Sequence, residues 1–433
     1  MVQANITNFL NYTDMKTIVK QTTKLLLILL LISGGSQLWA QSNKDYFAVR
    51  GVVKDKITQK SLAYANISVQ GTNIGTIANI NGEFSIKIKD SLNAKSVEIS
   101  HLGYSTFVLP VKGENIKEIT IYLSPKANLL DEITVYSLDP RALVEEAISK
   151  IETNYSSTTD LLSGFYRETV RKRRSYITVS EAVIDIYKSP YAEGVEKDML
   201  QINKGRKLVS PKLDDTLMVK LLGGPNLSIY VDIVKNPDLI LNLETLSNYK
   251  FFMEQSVMID ERPNYVVSFK PQVILPYALY YGKLYIDKQN LSVSRTEFSL
   301  SLDDRNKAIQ AILKRKPFSM RFKPEEISFL VTYKQRDGLT HLNYIRSEVR
   351  FKCDWKRRLF STNYTIVSET VITGGKTDVI NKIPHRFAFS NNQSLSDKVI
   401  NFFDKDFWED YNIIEPDESL ESAIGRLKKE EKR

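Results

Sequence analysis

The sequence predicts a mainly β protein: a small N-terminal β-sandwich followed by a larger antiparallel β domain with a few helices. Three observations carry that expectation. Glycines punctuate short strands between Gly51 and Ile88, long runs of alternating apolar and polar residues recur from Leu161 to about Thr373, and only a few short stretches space their apolar residues as a helix does. Side chains alternate between the two faces of a strand, so a period of two marks a half-buried strand and a period near 3.6 marks a helix. With 42% hydrophobic and 10% aromatic residues the chain can bury substantial cores, which excludes a disordered tail.

The first forty residues have the layout of a secretory signal. Lys16, Lys20 and Lys24 precede an apolar run from Leu25 to Ile32, followed by Gly34, Gly35 and a cleavage point after Ala40, with Met15 as an alternative start. The run is far shorter than the roughly 20 residues a membrane-crossing helix needs, so no permanent span is expected in the mature chain. Leu38, larger than ideal at the third position before the cut, leaves an uncleaved anchor as the alternative. About 390 residues then remain, enough for two or three domains.

In the sandwich, expected over residues 46–124, Val52 and Val53 open a strand and Asp55 to Gln59 form a polar turn. Ala65, Ile67 and Val69 alternate with Asn66, Ser68 and Gln70, and Phe84, Ile86 and Ile88 alternate in a returning strand. Between them, Asn81-Gly82 predicts a hairpin through a type I′ turn, in which both central residues take positive φ. The order G-x-V-x-D, A-x-I-x-V-x-G-T, G-T, G-x-F and, in VEISHLGYSTFVL (Val97 to Leu109), S-x-x-G-Y resembles the carboxypeptidase regulatory-like domain common in exported Bacteroidota proteins. The resemblance covers Phe47 to Leu123 and implies an Ig/prealbumin-like sandwich with a structural or interaction role, not a peptidase.

A connector and helix are expected over 125–157. NLLDEITVYSLDP (Asn128 to Pro140) reads as an extended linker that could add an edge strand. Asp139 then caps a helix whose first turn holds Pro140 and whose apolar face is Leu143, Val144, Ala147, Ile148 and Ile151. The antiparallel domain is expected over 160–400, opening with a hairpin whose turn holds Arg171 to Arg174 and interrupted by helices at Asn226 to Val234 and Arg305 to Leu313. Within it, GKLYIDKQNLSVSRTEF (Gly282 to Phe298) resembles a hairpin of LolA-like and LolB-like lipoprotein carriers. That likeness implies a sheet that shelters acyl chains, while Tyr285, Ile286, Val293 and Phe298 read from their own pattern as ordinary core. Residues 401–433 form an aromatic strap, with Phe407, Trp408, Tyr411 and Ile413 pinning it to a domain surface, and a charged C-terminal helix fraying into solvent.

Catalytic chemistry is scarce. His101, His341 and His385 stand in HLGY, HLNY and HRFA, none of which has the spacing of a zinc site, and no nucleophile elbow, phosphate loop or dinucleotide fingerprint occurs. Cys353, the sole cysteine, sits in RFKCDW on an expected strand and reads as a small packed side chain. Asp214-Asp215 and Asp303-Asp304 read as turn and capping carboxylates, and Gly223-Gly224-Pro225 as a backbone bend. The expectation is therefore a non-enzymatic binding or scaffolding protein, with no catalytic, cofactor-binding or metal-ligating residue assigned. The alternatives are a lipid carrier, which requires an enclosed apolar cavity, and a hydrolase, which requires a pocket joining His341 or His385 to a carboxylate and a nucleophile. The formal charge is +9, of which the first forty residues carry +2. A diffuse excess of this size fits anionic lipid or polysaccharide surfaces and not nucleic acid. Three basic clusters, Arg171 to Arg174, Lys314 to Lys316 and Lys356 to Arg358, could contact headgroup phosphates if they converged. The expected location is exported, periplasmic or outer-membrane-associated, with an outer-membrane protein or envelope lipid or polysaccharide as partner.

Overall fold

The structure, a computed structural model, describes residues 45–126, 138–212, 215, 217, 219–221, 223–355, 360–390, 395, 398–401 and 407–431. The expected signal segment, most of the 128–140 linker, Asp214 and Lys356 to Arg358 lie outside the described residues. Residues Tyr46–Arg433 pack as one compact unit.

The sandwich has two layers. One holds β4 (Glu83–Lys89), β1 (Tyr46–Asp55) and β7 (Ile116–Leu123) in that order. The other holds β3 (Gly75–Ile77), β2 (Asn66–Val69), β5 (Ser96–Ser100) and β6 (Phe107–Pro110). Most pairs are antiparallel, but β1 runs parallel to β7. Val49, Val53, Ile67, Val69, Phe84, Ile86, Ile88, Val97 and Ile99 fill the space between the layers, as the alternation predicts. The first strand begins at Tyr46, earlier than Val52.

The expected Asn81-Gly82 hairpin is a different structure. Gly82 has φ 77° but Asn81 does not share a positive φ, which rules out type I′. The flanking strands β3 and β4 belong to different layers, so the chain crosses the sandwich here. Asn79 organises the crossing: its Oδ1 accepts from the amides of Asn81 (2.9 Å) and Glu83 (3.0 Å), and its carbonyl accepts from Gly82 N at 3.0 Å. Glycine is still required at 82, because a Cβ there would stand 2.5 Å from the Val53 carbonyl oxygen.

Helix α1 (Pro140–Ser149) is capped by Asp139, whose side chain accepts from Arg141 N, and buries Leu143, Val144 and Ala147. A single turn, α2 (Ile151–Asn154), leads into the large sheet. Its strands are β8 (Asp160–Lys172), β9 (Ser175–Lys188), β10 (Met199–Val209), β12 (Tyr249–Ile259), β13 (Arg262–Pro271), β14 (Tyr280–Asp287), β15 (Val293–Leu300), β17 (Met320–Arg336), β18 (Leu339–Trp355), β19 (Thr362–Lys376) and β20 (Ile400–Asn401). The order is β12-β13-β14-β15-β17-β18-β19-β8-β9-β10-β20, antiparallel throughout except for the parallel β10–β20 pair. A two-stranded ribbon of β11 (Lys220–Leu221) and β16 (Leu313–Arg315) pairs separately, with Leu221 and Leu313 packed against the Met320, Phe322 and Phe351 end of the large sheet.

Of the two expected internal helices, Arg305 to Leu313 forms as α4 (Arg305–Ile312), with Asp304 accepting from the amides of Asn306 and Lys307. Asn226 to Val234 shrinks to one turn, α3 (Leu227–Tyr230), and a short 3-10 turn, Pro237–Leu239, follows it. The segment is buried too completely to be amphipathic: Ile229, Val231, Ile233, Val234, Ile240, Leu241 and Leu246 pack with α1 against one face of the sheet. The opposite face carries Phe165, Val183, Tyr344 and Val371, which pack against Ile77 of the sandwich and Trp408 and Ile414 of the strap.

The C-terminal helix α5 (Glu418–Glu431) does not fray into solvent. It is apolar along one side, and Leu420, Ala423 and Leu427 are buried, with Leu427 packed against Leu208 of β10. Arg426 donates to the Tyr176 carbonyl at 2.8 Å and Lys212 pairs with Glu430 at 2.7 Å, so β9 and the segment after β10 both hold it. Among the described residues no helix is long and apolar enough to cross a membrane.

Candidate functional site

The loop Gly71–Gly75 between β2 and β3 faces the β17–β18 turn and the end of β19 across a cleft of about 280 Å³. Its shape follows from the two components meeting along polar edges. Asn73 Nδ2 donates to the Gly375 carbonyl at 2.6 Å, and Lys334 Nζ reaches both Ser68 Oγ and, at 3.4 Å, Glu98. These contacts hold the walls apart at a fixed spacing while leaving charged groups on them.

Two of those groups matter for chemistry. Asp160, at the start of β8, is only 3% exposed, and its Oδ1 has no hydrogen-bond partner among the described residues. Burial raises its pKa, opposed by the Ser156 hydroxyl and the charges of Lys188 and Arg336. His341 lines the same cleft, with its Nε2 3.4 Å from an Arg336 guanidinium nitrogen. Desolvation first, then the Arg336 charge, push the imidazole down to about 4, so it is neutral at pH 7.

The remaining sequence candidates do not join it. Half-buried His101 is braced in the sandwich by the carbonyls of Leu102 and Ala63, both at 3.2 Å, and His385 is exposed in a separate turn. Cys353 is buried beside Phe322 and Phe351, and desolvation pushes its thiol up to about 12, which fits a packed side chain and not a nucleophile. Asp303 accepts from Ser301 Oγ at 2.9 Å, Asp304 caps α4, and Asp215 is held by Lys172 Nζ (3.1 Å) and Ser210 Oγ (2.6 Å). Gly224, at φ 79°, bends the backbone ahead of α3. Tyr285, Ile286, Val293 and Phe298 are all buried. Among the described residues no three His, Cys, Asp or Glu side chains gather as a metal cage.

Sequence reasoning missed a buried ionic cluster under the sheet. Lys188 Nζ lies 2.7 Å from Asp232 and 3.5 Å from Asp198, Tyr333 donates to Asp232 at 2.6 Å, and Lys235 Nζ donates to the carbonyls of Ser189 and Glu193, both at 3.0 Å. Burial alone would push Lys188 down, but Asp232 and Asp198 hold it raised, whereas burial prevails at Lys235 and lowers it. Every member has a partner, so the cluster fixes the 189–198 and 227–246 segments to the sheet.

Comparison with known proteins bears on one part of this arrangement. Residues 49–135 match the model of the CarboxypepD_reg-like domain. The N-terminal sandwich is a CarboxypepD_reg-like domain. Over 108 residues the chain is 30% identical to the TonB-dependent receptor SusC of Bacteroides thetaiotaomicron, a stretch covering 25% of this chain and 10% of that receptor. Among solved structures, a DUF1329 family protein from Desulfovibrio piger is 12% identical, covering 57% of this chain and 96% of its own, with a TM-score of 0.25. A LolA superfamily protein from Nitrosomonas europaea is 12% identical over 59% of this chain and 100% of its own, with a TM-score of 0.23. Scores this low define neither the fold nor the role of the large sheet.

Proposed function

We propose that the chain is a non-enzymatic binding protein of the cell envelope, whose cleft between sandwich and sheet holds a small polar ligand. The observation that carries this reading is Asp160, a residue of the cleft lining whose buried Oδ1 has no partner among the described residues. A carboxylate oxygen withdrawn from water without a partner costs free energy, which a ligand hydrogen-bond donor recovers. Lys334, Arg336 and the backbone of Gly374 and Gly375 line the same space and suit a ligand that also carries acceptors. An envelope location is supported by the signal-like Lys16 to Ala40 segment and by the 108-residue stretch that is 30% identical to a TonB-dependent receptor.

The hydrolase alternative gains the juxtaposition of His341 with a carboxylate, but a histidine titrating near 4 beside a guanidinium is a weak base at neutral pH. The carrier alternative loses ground because the helix-covered face of the sheet is filled by α1 and residues 229–246. The test is native purification followed by extraction and mass spectrometry of parent and Asp160→Leu proteins. A polar small molecule bound to the parent and lost from the variant is expected. A bound acyl lipid would favour the carrier, and ester or peptide turnover abolished by His341→Gln would favour the hydrolase.

A further inference from the structure

The strand register brings separate basic segments to one end of the large sheet. Met320 pairs with Trp355, Cys353 with Thr362 and Tyr364 with Lys172, while Arg173 N donates to the Asn363 carbonyl at 2.7 Å. The turn after β8, the residues before β17 and those before β19 therefore lie along a single edge. They span three strand spacings, or about 15 Å. That edge presents Arg173, Arg174, Lys314, Arg315 and Lys316, all exposed. Nearby carboxylates are already engaged: Asp215 by Lys172 and Asp354 by Lys323.

Two aromatic side chains stand among these cations. Phe318 is 94% exposed and Phe360 is 79% exposed, although the sheet end behind them has a packed core of Val170, Ile177, Met320, Phe322, Phe351 and Tyr364. Phe318 sits in a tight turn that Lys316 Nζ closes by donating to the Met320 carbonyl at 2.8 Å and that Met320 N closes by donating to Pro317 O at 3.1 Å. Phe318 thus projects from a braced turn two residues before Met320, and Phe360 stands two residues before Thr362 on the shared edge. Solvating one such ring is unremarkable. Two rings at the tip of a cationic edge match a bilayer interface, where aromatic rings enter the acyl boundary and basic residues meet phosphates.

We propose that this end of the sheet docks onto a membrane surface rich in anionic phospholipid, with Phe318 and Phe360 entering the interface and Arg173, Arg174 and Lys314 to Lys316 binding headgroup phosphates. This surface is separate from the cleft, and the inference does not depend on the ligand proposed there.

The test uses the full chain and vesicles of phosphatidylglycerol mixed with phosphatidylethanolamine, against vesicles of phosphatidylcholine alone. Sedimentation should show binding to the first set only, weakened by added salt. A Phe318→Ser/Phe360→Ser variant and an Arg173→Glu/Arg174→Glu variant should each bind about tenfold more weakly, with melting unchanged because all four side chains are exposed. A dye attached at Ser319→Cys, with Cys353 buried, should shift its emission to the blue on the anionic vesicles. The apolar run Leu25 to Ile32 is present in every variant, so binding through it would leave the variants equal to the parent and overturn the proposal. Equal binding to both vesicle types, or binding without an emission shift at 319, would overturn it as well.

Discussion

His341 shows how one side chain can couple a cleft to pH. Its folded pKa is about 4 against an ordinary 6.5, so as pH falls the unfolded chain takes up the proton first. The stability linked to this group is therefore complete above pH 6.5 and is lost as pH falls from 6.5 toward 4. In the His341→Gln variant that contribution disappears, and the drop in melting temperature between pH 7 and pH 4.5 should be smaller than in the parent. Equal acid sensitivity in the two proteins would show that His341 stays hydrated in the fold. Glu181 shifts downward in a different way. Burial would raise it, but Arg167 and Arg206, which bind its two oxygens at 2.7 and 2.8 Å, hold it lowered. Arg167 also donates to the Ile414 carbonyl at 2.7 Å, so this one carboxylate fixes the position of a guanidinium that ties the strap to the sheet.

At the scale of elements, α5 illustrates the difference between charge content and burial. Its sequence is rich in lysine and glutamate, yet Leu420, Ala423, Ile424 and Leu427 recur at the spacing of one helix face. Leu427 is 1% exposed against Leu208, and Leu427→Ala should cost about 2 kcal/mol, the lower end for a buried leucine because the cluster is small. Denaturant melts would measure the loss, and tryptic cleavage at Arg426 and Lys428 should accelerate; unchanged cleavage would mean the helix is not held by this contact. The long strands were legible because alternation over many residues marks a strand whatever covers it, as β17 and β18 demonstrate. The 226–234 helix was misread because apolar density without a polar face marks burial, not a particular backbone conformation. The Asn81-Gly82 turn was misread because local turn chemistry does not say whether the flanking strands share a sheet. The cleft was illegible for a simpler reason. Ser68, Asp160, the Lys334–His341 hairpin and Gly375 come from four separate segments, and only the pairing of β8 with β19, β19 with β18 and β18 with β17 brings the last three together.

For the molecule as a whole, the central question is whether sandwich and sheet unfold separately or as one body. Trp408 decides it. The ring is 4% exposed and meets Phe165 edge-on at 5.4 Å and Phe407 at 4.7 Å, in a cluster that also includes Ile77 from β3 and Val183, Tyr344 and Val371 from the sheet. The Arg206 guanidinium lies 4.8 Å from the indole, and Thr76 of β3 donates to the Ile413 carbonyl at 2.9 Å, so the strap is fastened to both components. Further bonds cross directly: Gly103 N to the Met258 carbonyl at 2.9 Å, and Thr106 N to the Glu261 carboxylate at 2.6 Å. Polar contacts of this sort orient the two parts, but the dominant free energy comes from apolar burial around the indole. Calorimetry of the parent should therefore show a single transition whose calorimetric and van't Hoff enthalpies agree. Trp408→Ala removes the shared core at a cost of about 3 to 5 kcal/mol, and its melting should split into a sandwich transition and a sheet transition. Trp408→Phe keeps an aromatic ring in the same space and should restore most of the coupling. Two transitions in the parent, or a single unshifted transition in Trp408→Ala, would mean that the strap rests on the interface without joining its two sides.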